Sequence, residues 1–78
     1  MIDAEGDLEI DARGHRCPVP TLRLRRALER AASGAVVRLL ADDPLARVDV
    51  PHFSAQQGLE LLGVEPLPSG WAFRVRKA

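Results

Sequence analysis

Pro18 and Pro20 stand one residue apart in the string Arg16-Cys17-Pro18-Val19-Pro20, and that spacing leaves the chain few options. Proline lacks a backbone N–H and has a fixed φ, so it suits the first turn of a helix and is costly further in. With Cys17 as the capping residue, Pro18 and Pro20 take the first and third helical positions, where a missing N–H removes no helix bond. Only Val19 keeps its amide among these three, about where a capping side chain accepts its bond. The segment predicts a rigid helix start with the chain's only cysteine at its mouth.

The flanks agree with this reading. Leu8-Glu9-Ile10-Asp11-Ala12 alternates apolar and acidic residues, the period of a half-buried strand. From Pro18 to Ala32, Thr21, Leu24, Leu28 and Ala31 recur at three- and four-residue steps, while Arg23, Arg26 and Arg30 share another face, as in an amphipathic helix. Ser33-Gly34 supplies its stop. Cys17 thus lies at a strand-to-helix switch, where free N–H groups and the helix dipole favour negative charge and lower a thiol's pKa.

Ala35 to Ala41 is apolar apart from Arg38 and reads as a buried, central strand ended by Asp42-Asp43-Pro44. A second helix is expected to open at Pro51, capped by Asp49, to carry Phe53, Leu59 and Leu62 inward, and to close at Gly63. Val64 to Pro68 contains two prolines, which places that strand at a sheet edge. Ser69-Gly70 reads as a hairpin turn, followed by a strand in which Trp71, Phe73 and Val75 alternate with Ala72, Arg74 and Arg76. The order β-α-β-α-β-β implies an α+β fold: a two-layer α/β sandwich with a mixed four-stranded sheet and both helices on one face.

Seventy-eight residues suit one domain, residues 1–78, with Met1 to Asp7 expected to be flexible. No apolar stretch approaches a membrane span, and the acidic N-terminus has neither a basic lead nor an apolar h-region. One cysteine permits no internal disulfide, which suits a reducing, cytoplasmic setting. Formal net charge is zero, against a role built mainly on nucleic-acid binding. The charges are nonetheless segregated: Ala12 to Arg30 carries a net +5 and Leu39 to Pro66 a net −4. Because Cys17 lies inside the basic block, that block is read as stabilising a sulfur anion and attracting acidic partners.

A lone cysteine is ordinarily a small buried hydrophobe, and the proline pattern at the strand-to-helix joint sets Cys17 apart from that case. Thiol redox catalysis wants a resolving cysteine, and none exists. A cysteine hydrolase wants a positioned base, but His15 is too near along the chain to be assumed convergent, and His52 reads as exposed. One Cys and two His fall short of a structural zinc site. What remains is an activated thiol that forms a covalent adduct and hands it on. The contrasting reading is a non-catalytic regulatory or interaction module that docks through its basic helix.

Asp11-Ala12-Arg13-Gly14-His15-Arg16-Cys17-Pro18-Val19-Pro20 resembles the signature of the TusA (SirA-like) sulfur-carrier family, whose marker is Cys-Pro-x-Pro. Ala41-Asp42-Asp43-Pro44, Asp49-Val50-Pro51-His52-Phe53 and the ending Trp71 to Lys77 resemble further family elements in the same order. The resemblance implies the same sandwich. It also implies a carrier that takes sulfane sulfur from a cysteine desulfurase or rhodanese-like donor as a persulfide on Cys17 and relays it to an acceptor protein. No separate cofactor or metal is implied, and direct nucleic-acid or membrane binding is not expected; the free protein is expected to be a monomer. Carried over by position, Cys17 is the carrier residue, and Arg13, Gly14, Arg16, Pro18, Val19 and Pro20 shape its site. Arg23, Arg26 and Asp43 are candidates for partner docking. Uses in the family include transfer-RNA thiolation, molybdenum cofactor assembly, sulfur oxidation and selenium metabolism. Three positions depart from the family's usual pattern: His15 is commonly apolar, Val19 often acidic, and Ser54 stands where some members carry a second cysteine.

Overall fold

A computed structural model describes residues 7–16 and 19–78; residues 1–6, expected to be flexible, and Cys17 and Pro18 lie outside the described residues. Six elements follow in order: β1 (Asp7–Asp11), α1 (Val19–Arg30), β2 (Val36–Ala41), α2 (Ala46–Gln56), β3 (Glu60–Pro66) and β4 (Trp71–Arg76). The strands form one mixed sheet ordered β1-β2-β4-β3. β1 and β2 are parallel, so the chain must cross over between them, and α1 is that crossover. The other pairings are antiparallel, and the proline-bearing β3 occupies an edge as its composition predicts.

Period-two alternation sorts each strand between two faces. In register, Leu8 and Ile10 meet Val37 and Leu39, which meet Val75 and Phe73. Val37, Leu39, Ala41, Phe73 and Val75 are buried, together with Leu24 and Leu28 of α1 and Ala46 and Val50 of α2. These residues form the core between the sheet and the two helices. The opposite face carries charge: Arg38 reaches Glu9 on β1 at 2.6 Å and Glu65 on β3 at 3.3 Å, and Arg76 meets Glu60 at 2.7 Å. All of these side chains are at least a third exposed, so each pair adds at most about 1 kcal/mol.

The second helix differs from its expected bounds at both ends. It begins at Ala46, so Pro51 lies inside it and Asp49 falls in its first turn rather than at its cap. The start is made at Asp43-Pro44. The Asp43 carboxylate accepts the Leu45 N–H at 3.0 Å, and Ala46, Arg47 and Val48 each donate to the carbonyl three residues back. This tight turn does the work that Asp49 and Pro51 were expected to do. Pro51 is then tolerated at the loss of the one bond its N–H would make to the Arg47 carbonyl.

At the far end Gly58, not Gly63, closes the helix. Its φ of +68° is open to glycine at little cost, and it lets Leu59 N–H reach the Ser54 carbonyl at 2.8 Å and Gly58 N–H the Ala55 carbonyl at 3.3 Å. Leu59 and Leu62 therefore leave the helix. Leu59 packs against the core from the connection, and Leu62 becomes the extra residue of a bulge where the β3–β4 register shifts between Leu61 and Gly63. β3 begins at Glu60 rather than at Val64.

Candidate functional site

Because β1 and β2 run parallel, their C-terminal ends share one edge of the fold, and β4 begins there opposite Ala41. The chain leaves β1 at this pole, turns, and enters α1 at Val19, the third residue of the Cys-Pro-Val-Pro segment. Cys17 and Pro18, both predicted site residues, lie outside the described residues. The geometry is that of their neighbours.

The turn between β1 and the cysteine is tightly tied. His15 N–H donates to the Ala12 carbonyl at 3.3 Å with Gly14 at φ +88°, and the Asp42 carboxylate accepts Gly14 N–H at 3.0 and 3.1 Å on its two oxygens. Arg13 folds back onto Asp11: its Nε and Nη2 donate to the two carboxylate oxygens at 2.9 and 2.8 Å, and its backbone N–H donates to Oδ1 at 3.1 Å. These bonds pull the Asp11 carboxyl from its usual 3.8 down to about 2 and hold the Arg13 guanidinium protonated. Arg13 is therefore a neutralised partner within the turn. Its charge is not available to a thiolate in the way the net +5 suggests.

Arg16 is exposed and its guanidinium has no partner among the described residues; its carbonyl accepts Val19 N–H at 2.9 Å. The Val19 amide, expected to serve a thiolate cap, is thus already engaged in the turn. With proline on either side of it, that amide is the one donor available to close the entry turn. Pro20 is fully buried and anchors the first turn of α1 to the core, while Val19 and Leu22 remain 36% and 56% exposed.

Of the docking candidates, Arg23 is committed: its Nη1 donates to the Asp11 carbonyl at 2.8 Å and ties α1 to the end of β1. Arg25 pairs with Glu29. Arg26 and Arg30 have no partner among the described residues and line an open groove with Ile10, Val19, Leu22 and Arg23. Asp43 is engaged at the start of α2 and, with Asp42 and Pro44, faces His15 and Arg16 across a second open groove. Two residues that matter here, Asp11 and Asp42, were missing from the predicted set. Their signal was positional: Asp11 ends β1 and Asp42 directly follows β2, at the pole where these two parallel strands end. Among the described residues, His15 and His52 are both exposed and no cluster of potential metal ligands exists. No helix of the described residues is long and apolar enough to cross a membrane.

Comparison with known proteins places this arrangement. The profile of the family described as Sulfurtransferase TusA matches residues 8–77. The chain belongs to the TusA family. A Pseudomonas entomophila protein named sulfur carrier protein TusA is 35% identical over 77 residues, covering 99% of this chain and 96% of its own. A putative sulfur carrier protein of Archaeoglobus fulgidus is 39% identical over 62 residues, 80% of each chain. The crystal structure of a SirA-like protein from Desulfitobacterium hafniense superposes with a TM-score of 0.76 at 28% identity, over 91% of this chain and 96% of that one.

Proposed function

We propose that this protein is a sulfur carrier in which Cys17 holds sulfur as a persulfide and relays it to an acceptor protein. The observation that supports it most is the family match across residues 8–77, which spans the chain's one cysteine. Cys17 thiolate attacks the outer sulfur of a donor persulfide; the new S–S bond forms as the donor's S–S bond breaks, and the donor leaves as its thiolate. An acceptor thiolate then attacks the outer sulfur of Cys17 persulfide, and Cys17 leaves as thiolate. Neither step needs an external oxidant or reductant, because the sulfur moves at constant oxidation level.

The surroundings suit a docking carrier. Arg26, Arg30 and the exposed Leu22 offer cationic and apolar contacts along α1 to a cysteine desulfurase or rhodanese-like donor with an acidic face. A reducing, cytoplasmic compartment would keep the single thiol available. Incubation with a desulfurase and cysteine, followed by intact mass spectrometry, should show one added sulfur that Cys17→Ser abolishes while leaving the urea midpoint unchanged. A wild-type protein that stays unmodified beside a competent donor refutes the proposal and favours an interaction module docking through α1.

A further inference from the structure

The bond between Asp42 and Gly14 joins two segments 28 residues apart, and it is made at the turn that delivers the chain to Cys17. Asp42 follows β2 directly, so its backbone moves with a central strand of the sheet. Its carboxylate takes the Gly14 amide on both oxygens, which restrains the turn in the plane of the carboxylate as well as in distance. A third segment limits where Asp42 can sit. The β3–β4 turn closes with Leu67 N–H on the Gly70 carbonyl at 2.9 Å, and Gly70 has φ +95°. A Cβ at Gly70 would overlap the Ala41 carbonyl oxygen and come within 2.8 Å of Asp42 Cα and 2.9 Å of Asp42 Cβ. Backbone lies on one side of that contact and the root of the Asp42 side chain on the other, so neither can give way without moving the carboxylate.

We propose that Asp42 is a positioning residue for the Cys17 thiol, holding the turn before it through Gly14, and that Gly70 provides the space Asp42 needs to do so. Its purpose rests on the sulfur-carrier reading, but its mechanics do not. The strands fix Asp42, Asp42 fixes Gly14, and Gly14 lies three residues before the cysteine. The hairpin turn, which lies at the same pole, thereby acts on the segment leading to Cys17 through the Asp42–Gly14 bond.

Alkylation of Cys17 by iodoacetamide, followed against pH in the full chain, tests this with Asp42→Asn, Asp42→Ala and Gly70→Ala, alongside urea unfolding. Asparagine removes the charge but keeps an oxygen acceptor for Gly14, whereas alanine removes both, so the difference between the two variants reads the bond alone. The alanine variant should react about fivefold more slowly than the asparagine variant at pH 7, the weight of one ordinary hydrogen bond. Gly70→Ala should reproduce the slowing, and combining it with Asp42→Ala should add nothing further, because both act on one bond. Equal rates for Asp42→Asn and Asp42→Ala overturn the proposal, as does an additive double variant. If Gly70→Ala does not fold, the comparison at Asp42 decides alone. Alkylation needs no sulfur donor, so the carrier reading can fail at the loading step while this proposal stands, and the reverse.

Discussion

Ser54 lies on the buried face of α2, one turn beyond Val50 and two beyond Ala46, and is only 2% exposed. Its Oγ has no hydrogen-bond partner among the described residues. Burying a hydroxyl without a partner costs about 1–3 kcal/mol, because its bonds to water are lost and none replaces them. Replacing it by alanine removes that cost and adds roughly 0.5 kcal/mol of helix propensity. Against this stand the contacts of one heavy atom and the small void it leaves, about 0.5–1 kcal/mol. Ser54→Ala should therefore stabilise the domain by about 1–2 kcal/mol. With a urea m-value near 1 kcal/mol/M for a chain this short, the midpoint should rise by about 1–2 M at unchanged m. Cys17 alkylation should not change, since α2's inner face does not contact the thiol turn in any bond described above. An unchanged or lowered midpoint refutes the reasoning and means that the hydroxyl finds an acceptor in solution, for which the Val50 carbonyl one turn back is the obvious candidate.

Acid unfolding should carry the mark of Asp11. Its folded carboxyl titrates at about 2 against a usual 3.8, so the stability it contributes is complete above pH 4 and is lost as the pH falls through 2; in Asp11→Asn the urea midpoint should change less over that window than in wild type. Two neighbouring arginines should separate docking from structure. Arg26→Glu should slow loading from an acidic-faced donor by about tenfold at low salt, with the difference shrinking as salt rises and the urea midpoint unchanged. Arg23→Ala, which loses the bond to the Asp11 carbonyl, should lower stability by roughly 0.5–1.5 kcal/mol; equal loading defects with equal stability in both variants would count against the assignment.

Periodicity and proline carried most of the architecture. The alternation in Leu8 to Ala12 and Trp71 to Arg76, the three- and four-residue steps of Leu24 and Leu28, and the prolines of the edge strand each report a local constraint, and each was legible without knowing the partner. The second helix was not. Its start competes between two Asp/Pro pairs, Asp43-Pro44 and Asp49 with Pro51, and its end between Gly58 and Gly63. Local propensity ranks these nearly alike. The choice is made by burial of Ala46, Val50 and Ser54 against the sheet, which pulls the helix five residues earlier and accepts an internal proline.

The joint between β1 and α1 was legible in the sequence itself, since Pro20 suits the first turn of a helix and the family pattern extends along the chain. Which charges remain available around it was decided only by tertiary structure. A count of arginines cannot show that Arg13 is spent on Asp11 and Arg23 on the Asp11 carbonyl, or that Arg16, Arg26 and Arg30 are left without partners among the described residues. Nor can it show that Asp42, Gly14 and Gly70, far apart in the chain, meet at one pole. Hydrogen bonds and close contacts depend on separations of a few ångströms, and the parallel pairing of β1 with β2 is what brings these residues within them.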